Sequence, residues 1–263
     1  MERIADAPLL TLSGVRKRFG AVRALTDVSL EIRAGEVVAL VGESGAGKSA
    51  LVKVIAGVEP ADSGTVRWRG SPVRIVRPQD ASRLGIAAVY QDLALCGNLD
   101  VVGNMYLGHE LGTVLALDEV EMGRRTRALL LRLSTGLPDL RAPVASLPGS
   151  QRQLIAIARA LLGEPALLLL DEPTAGLGVG QAHRFLDLVE ELREQGLGML
   201  LISRNLGDVK AVADHVAVLR HGCNNGFFDV HNTSEEQIIS SMTGATENAV
   251  TQRHADDLEE ELP

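Results

Sequence analysis

Val37-Val38-Ala39-Leu40-Val41-Gly42-Glu43-Ser44-Gly45-Ala46-Gly47-Lys48-Ser49-Ala50 sets five apolar residues against a glycine-spaced turn that ends in Lys-Ser. The apolar run predicts a buried strand, and the residues from Lys48 onward open a helical pattern, so the order is strand, glycine loop, helix. Glycines at 42, 45 and 47 let the backbone turn its N–H groups inward, and the helix that follows aims its positive dipole end at the same point. Such a turn cradles anionic phosphates. Lys48 is placed to reach the β- and γ-phosphates, and the Ser49 hydroxyl to complete the coordination of a Mg²⁺ that keeps most of its waters. The expectation is a chain that binds ATP or GTP.

A second cluster points the same way. Leu167-Leu168-Leu169-Leu170-Asp171-Glu172-Pro173 is an apolar strand that ends in two adjacent carboxylates. Such a strand carries Asp171 to the carboxyl edge of a sheet, beside the phosphate loop, where it can hold Mg²⁺ through a water. Glu172 then reaches a water in line with the γ-phosphate, as general base or as the group that orients the nucleophile.

The surrounding chain predicts an α/β domain. Short β-rich pieces near 9–19, 25–33 and 36–42 form a small antiparallel layer that leads into the nucleotide strand. Helix 48–57, strand 63–70 and a short strand at 86–90 that delivers Gln91 come next. From 98 to 163 the pattern is helical, with helices at 100–107, 118–133 and 151–162 and no strand, which marks a subdomain. Its last helix sets Leu154, Ile157, Ala158, Leu161 and Leu162 on one face. After Pro165, strand 166–171, helix 179–195, strand 198–203, helix 206–213 and strand 215–220 alternate as in a parallel sheet covered by helices. In helix 179–195 the buried stripe is Phe185, Leu188, Val189 and Leu192.

With 263 residues and 46% hydrophobic content, the chain can bury a substantial core. No run of about twenty apolar residues lacks a charge or a turn signal, and Met1-Glu2-Arg3-Ile4-Ala5-Asp6 is no secretory signal, so any membrane role passes through a partner. Cys96 and Cys223 have no metal-type spacing, and nor do His215, His221 and His231, so a reduced compartment without zinc is expected. The net charge of −8 argues against general affinity for nucleic acid. Five of those negative charges belong to 245–263, where Glu247, Asp256, Asp257, Glu259, Glu260 and Glu261 face only Arg253. That stretch, from about 244 on, reads as a solvated, disordered tail. Arg83, Arg124, Arg125 and Arg127 read as a solvated helix surface.

These motifs in this order resemble the ATP-binding subunits of ABC transporters, over nearly the whole chain up to about residue 243. The resemblance implies a P-loop ATPase fold: a mostly parallel core sheet, an N-terminal antiparallel β layer and a helical subdomain. It implies that Gln91 is the glutamine that contacts Mg²⁺ and the attacking water, and that Phe19 stacks on adenine. Ser146-Leu147-Pro148-Gly149-Ser150-Gln151-Arg152-Gln153 occupies the place of the family signature, usually Leu-Ser-Gly-Gly-Gln. In the resembling proteins two cassettes meet head to tail, and ATP on one phosphate loop is gripped by the signature helix of the other. A single cassette therefore implies a second ATP-binding subunit, identical or not. It also implies transmembrane permease subunits, a solute-binding protein, and a place on the cytoplasmic face of the membrane. The stretches 89–108 and 172–179 are similar to the carbohydrate-uptake branch.

Two positions depart from the family pattern. Arg204, in Leu201-Ile202-Ser203-Arg204-Asn205, stands where the family usually has a histidine that touches the γ-phosphate. It can hydrogen-bond phosphate with a permanent charge but cannot exchange a proton near neutral pH. Pro148 replaces the signature serine, removing a hydroxyl and a backbone donor at a helix entry that tolerates proline. The departures leave two readings: an importer ATPase, or a cassette that binds ATP, turns over slowly and regulates or pairs with another. A soluble ABC ATPase acting in DNA repair or translation is a third class, and it lacks here the second cassette or long coiled-coil insertion that such proteins carry.

Overall fold

Leu10–Phe19 (β1) and Val22–Ile32 (β2) pair antiparallel, with Leu10 opposite Ile32 and Phe19 opposite Val22. The inward set in β1 runs Leu10 and Leu12, then shifts to Val15 and Lys17. A register break at Gly14, whose φ is +63°, moves the alternation by one residue, as a bulge does. Val37–Val41 (β3) follows, then Lys48–Ile55 (α1), Ser63–Trp68 (β4) and Ser71–Val73 (β5). The computed structural model describes residues 7–113, 116–133 and 139–245.

Pro78–Leu84 (α2) leads into Ile86–Val89 (β6), and Val101–Tyr106 (α3) opens the helical block. There follow Gly112–Thr113 (β7), Ala116–Leu117 (β8), Glu119–Leu133 (α4) and Gly149–Leu161 (α5). Leu167–Asp171 (β9), Val179–Glu194 (α6), Gly198–Ile202 (β10), Leu206–Val212 (α7), His215–Arg220 (β11), Cys223–Asp229 (β12) and Glu235–Thr243 (α8) complete the order. One sheet runs β2-β1-β4-β5 and is antiparallel; the other runs β12-β11-β3-β10-β9-β6 and is parallel except at β12.

Period-two alternation in the parallel sheet divides the interior. Val38, Leu40, Leu167, Leu169, Leu200 and Ile202 face one core, which they share with α1 and the antiparallel sheet. Val37, Ala39, Val41, Leu168, Leu170 and Leu201 face the other, with the expected stripe of α6 and residues of α7 and α8. Strands buried on both sides read as continuous apolar runs, which is why β3, β9 and β10 carry no alternation in sequence. A third cluster joins α3, α4 and α5.

The elements depart from expectation in specific places. The block 98–163 holds a short hairpin, β7 with β8, where no strand was expected. The ribbon is exposed and each strand has two residues, too few for an alternation to show in sequence. On α5 the residues Ile155, Ala156, Ile157 and Ala158 are the buried ones, whereas Leu154 and Leu161 are only half-buried. Helix α5 packs on two cores at once, so a single stripe does not describe it. Strands β5 and β12 and helices α2 and α8 were not expected. The acidic stretch from 246 lies outside the described residues. Among those residues no helix is long and apolar enough to cross a membrane.

Candidate active site

The register of the parallel sheet brings the strand ends to one edge. Ile202 of β10 lies beside Leu40 of β3 on one side and Asp171 of β9 on the other, and Leu170 lies beside Val89 of β6. Each strand is followed within two residues by a singled-out group: Gly42, Glu172, Arg204 and Gln91. An open parallel sheet presents its chemistry at this carboxyl edge.

The loop after β3 turns on glycine. Gly47 has φ +108°, and a Cβ there would sit 2.6 Å from the Ala24 carbonyl oxygen. The loop is braced from behind: Gly222 N–H donates to Ala46 O at 3.0 Å, and Thr26 N–H donates to Gly222 O at 2.7 Å. Helix α1 starts directly after Gly47 with no side-chain cap, so its first N–H groups are left to whatever sits in the turn. Lys48 is buried and folds back over the loop, its Nζ donating to Gly42 O at 2.6 Å and Glu43 O at 2.9 Å. Ser49 and the loop residues Glu43, Ser44 and Gly45 are exposed, Ala46 is buried, and Ala50 is half-buried.

Charges crowd this edge. Burial, and then the Arg204 charge, push the Lys48 ammonium below its ordinary value, with Glu172 and Asp171 pulling the other way. Burial, and then the neighbouring Glu172 charge, push Asp171 above the ordinary carboxylate range against Lys48 and Arg204. Glu172 sits at φ +49°, a left-handed conformation that costs a non-glycine residue on the order of 1 kcal/mol and that clusters at functional sites. Its N–H is held by Ile202 O at 3.0 Å. Arg204 Nε lies 2.6 Å from Glu172 Oε1, an ion pair. Arg204 is thus an ion-pair partner of Glu172 rather than an isolated surface cation.

The turns after β9 and β10 are tied together by residues the motif reading did not single out. Thr174 Oγ1 donates to Asp208 Oδ2 at 2.7 Å and Asn205 Nδ2 donates to Asp208 Oδ1 at 2.8 Å. Asp208 is buried. Its signal in sequence is the helix-entry pattern Asn205-Leu206-Gly207-Asp208, a capping residue followed three positions later by an acid. A cavity of about 410 Å³ lies alongside, lined by Glu172, Thr174, His183, Arg204 and Asp208 among others.

Two of the expected groups make no hydrogen bond or ion pair with this cluster among the described residues. Phe19 ends β1 in the antiparallel sheet, 40% exposed, with the Lys17 ammonium 5.3 Å from its ring centre. Pro148 caps α5, so Leu147, Gly149, Ser150 and Gln151 surround a helix entry that survives the proline. Ser150 Oγ accepts from Gln181 Nε2 of α6 at 3.2 Å. Among the described residues, no hydrogen bond or ion pair joins 147–151 to 42–50.

The fold and this edge define an α/β ATP-binding cassette of the P-loop kind, and the chain belongs to the ABC transporter family, whose pattern matches residues 25–175. It is 40% identical over 235 residues to a xylose/arabinose import ATP-binding protein of Sulfolobus acidocaldarius, covering 89% of this chain and 92% of that one. It is 36% identical to a fructose import ATP-binding protein of Rhizobium meliloti, covering 93% and 97%. A xylose import ATP-binding protein of Escherichia coli is 39% identical over 239 residues, and the chain spans only 46% of its length. Among solved structures, a nucleotide-free ATP-binding cassette from an ABC transporter superposes with TM-score 0.77 at 27% identity, over 90% of this chain and 95% of that one. An ADP conformation of such a cassette gives 0.75 at the same identity and coverage.

Proposed function

We propose that this chain is the ATP-binding and hydrolysing subunit of an ABC importer for sugars, and that residues 1–243 act as one ATPase domain with 98–163 as its helical subdomain. The observation that carries this reading is the meeting at one sheet edge of the uncapped α1 entry, the buried Lys48 and the Asp171-Glu172 pair. Loop N–H groups and Lys48 hold the phosphates; Glu172 orients the attacking water and accepts its proton; Gln91 completes the water's surroundings. Phe19 offers the adenine a face.

The donor set fits Mg²⁺. A hydroxyl at Ser49 and a carboxylate at Asp171 are hard oxygen donors, and Asp171 is held in a desolvated position where a cation would favour its charged form. Ser49, Asp171 and Gln91 would hold the ion, which supplies neutralisation of the phosphate charge. Few protein ligands are needed, because Mg²⁺ is bound largely by waters and the nucleotide itself.

The relatives, and the lack of any hydrogen bond or ion pair between 147–151 and 42–50 among the described residues, support a reading with partners. The signature entry, with Leu147, Gly149, Ser150 and Gln151, serves the nucleotide of a second ATP-binding subunit, identical or homologous, and closure of that dimer drives permease subunits served by a solute-binding protein. The chain then works peripherally on the cytoplasmic face of the membrane, without binding nucleic acid. Phosphate release from Mg-ATP, measured with Lys48→Ala as control, and co-purification with a polytopic membrane protein test the proposal. A folded sample without affinity for ATP overturns it.

A further inference from the structure

Lys17 is a buried cation in the antiparallel layer, on the inward side of β1 with Leu25 opposite it. Its ammonium donates to Pro60 O at 2.8 Å and to Asp62 Oδ1 at 3.3 Å, lies 3.4 Å from Glu59 Oε2, and stands over the Phe19 ring, 5.3 Å from its centre. An apolar side chain would fill the same place without the cost of taking a charge out of water, so a buried ammonium points to a task that the charge performs. Asp62 also accepts from the Arg18 N–H at 2.7 Å, and the Asp62 N–H donates to Arg16 O at 2.9 Å, so the loop 59–62 grips β1 on both sides of Lys17.

Core packing contributes little to holding the Phe19 ring. Phe19 belongs to none of the three apolar clusters among the described residues, Val22 opposite it is exposed, and Gly20 turns the chain directly after it at φ +57°. The same hairpin leads into Ala24, whose carbonyl oxygen would lie 2.6 Å from a Cβ on Gly47, so this end of the layer rests against the phosphate loop. The loop 59–62 is tied in turn to α1, which opens on that phosphate loop, because Lys53 O accepts from the Val58 and Glu59 N–H groups. Since the ammonium is buried and the ring is partly exposed, the exposed side of the ring is the one turned away from Lys17.

We propose that Lys17 is a positioning residue for the nucleotide base: its ammonium covers the inner face of Phe19 and holds the ring in place relative to α1, leaving the outer face for adenine. The inference rests on the reading of 42–50 as the phosphate site and of Phe19 as the adenine platform. A loose ring must be ordered when the base arrives, and a ring already held by a cation avoids that entropic cost, so Lys17 raises affinity for the base without touching the nucleotide.

Binding titrations in EDTA, where turnover is stopped, compare ATP with inorganic tripolyphosphate, which offers phosphates without a base. Phe19→Ala is expected to weaken ATP at least about fivefold, through loss of one base–aromatic stack, and to leave tripolyphosphate within about twofold. Lys17→Met, which keeps the length without the charge, is expected to weaken ATP roughly fivefold, to leave tripolyphosphate within about twofold, and to add nothing in the Phe19→Ala background. Where Lys17→Met does not fold, Glu59→Gln with Asp62→Asn loosens the ammonium from partly exposed positions and should weaken ATP about threefold with the same sparing of tripolyphosphate. No loss of ATP affinity in these variants, a loss equal for both ligands, or a Lys17→Met loss that persists in full after Phe19→Ala overturns the role of Lys17 alone. ATP affinity unchanged by Phe19→Ala removes the adenine platform and the inference with it. Absence of binding of either ligand by the intact chain overturns the nucleotide reading itself.

Discussion

The Thr174 hydroxyl donates to Asp208 Oδ2 across 2.7 Å, joining the turn that carries Glu172 to the helix that follows Arg204. Asn205 occupies the other oxygen of the same buried carboxylate. Both strand-end turns therefore share one acceptor. Asp208→Ala leaves two donors without it and is expected to lower stability by about 1–3 kcal/mol, read from the urea midpoint. ATP hydrolysis should fall in the same variant, because Glu172 and Arg204 lose their common support.

Glu172→Gln keeps the shape of the side chain and removes its ability to take a proton. Turnover should drop by about 10²–10⁴ while ATP still binds. Lys48→Ala removes the buried cation from the loop and should weaken nucleotide binding itself. Parallel binding and phosphate-release assays separate the two effects, and equal turnover by Glu172→Gln and the intact chain would remove the carboxylate from the mechanism.

Gly47→Ala forces a Cβ to within 2.6 Å of the Ala24 carbonyl at a φ of +108°, where an L side chain is strained whatever the space. A loss of at least about 1 kcal/mol is expected, since the backbone geometry is incompatible with the new residue. Thermal unfolding measures it.

Glu121 is clasped by Arg124 and then by Arg125, whose hydrogen bonds bring its carboxyl down from 4.5 to about 2. A carboxyl depressed in the folded state adds stability that is fully present above the unfolded value of 4.5 and is lost as pH falls through about 2. Urea midpoints of the intact chain and Glu121→Gln should therefore differ near neutral pH and converge as the solution is acidified below pH 4.5 toward 2. A difference that persists undiminished at the acidic end would contradict the assignment.

Pro148→Ser gives α5 a capping hydroxyl where none exists now. The gain should be on the order of 0.5–1 kcal/mol in unfolding. If the signature entry serves a second subunit's nucleotide, the same variant also raises hydrolysis at protein concentrations that support dimers, and a stability gain without that rise would limit Pro148 to a capping role.

The glycine loop, the two carboxylates and most elements of the alternating region were legible from residue order, because each depends on interactions within a few positions: a strand's apolar run, a turn's need for glycine, a helix's buried stripe. Phe185, Leu188, Val189 and Leu192 are buried as their spacing implies. Edge elements were harder. Cys223–Asp229 is exposed or half-buried along its length, so it carries no alternation to read.

What the linear chain could not disclose is which strand ends become neighbours. Packing sets β10 between β3 and β9, and that order alone lays Arg204 against Glu172, 32 positions earlier, and Thr174 against Asp208. Local chemistry is written in adjacent residues, whereas ion pairs and shared acceptors between turns depend on the sheet register, which exists only once the two cores have closed on either side of it.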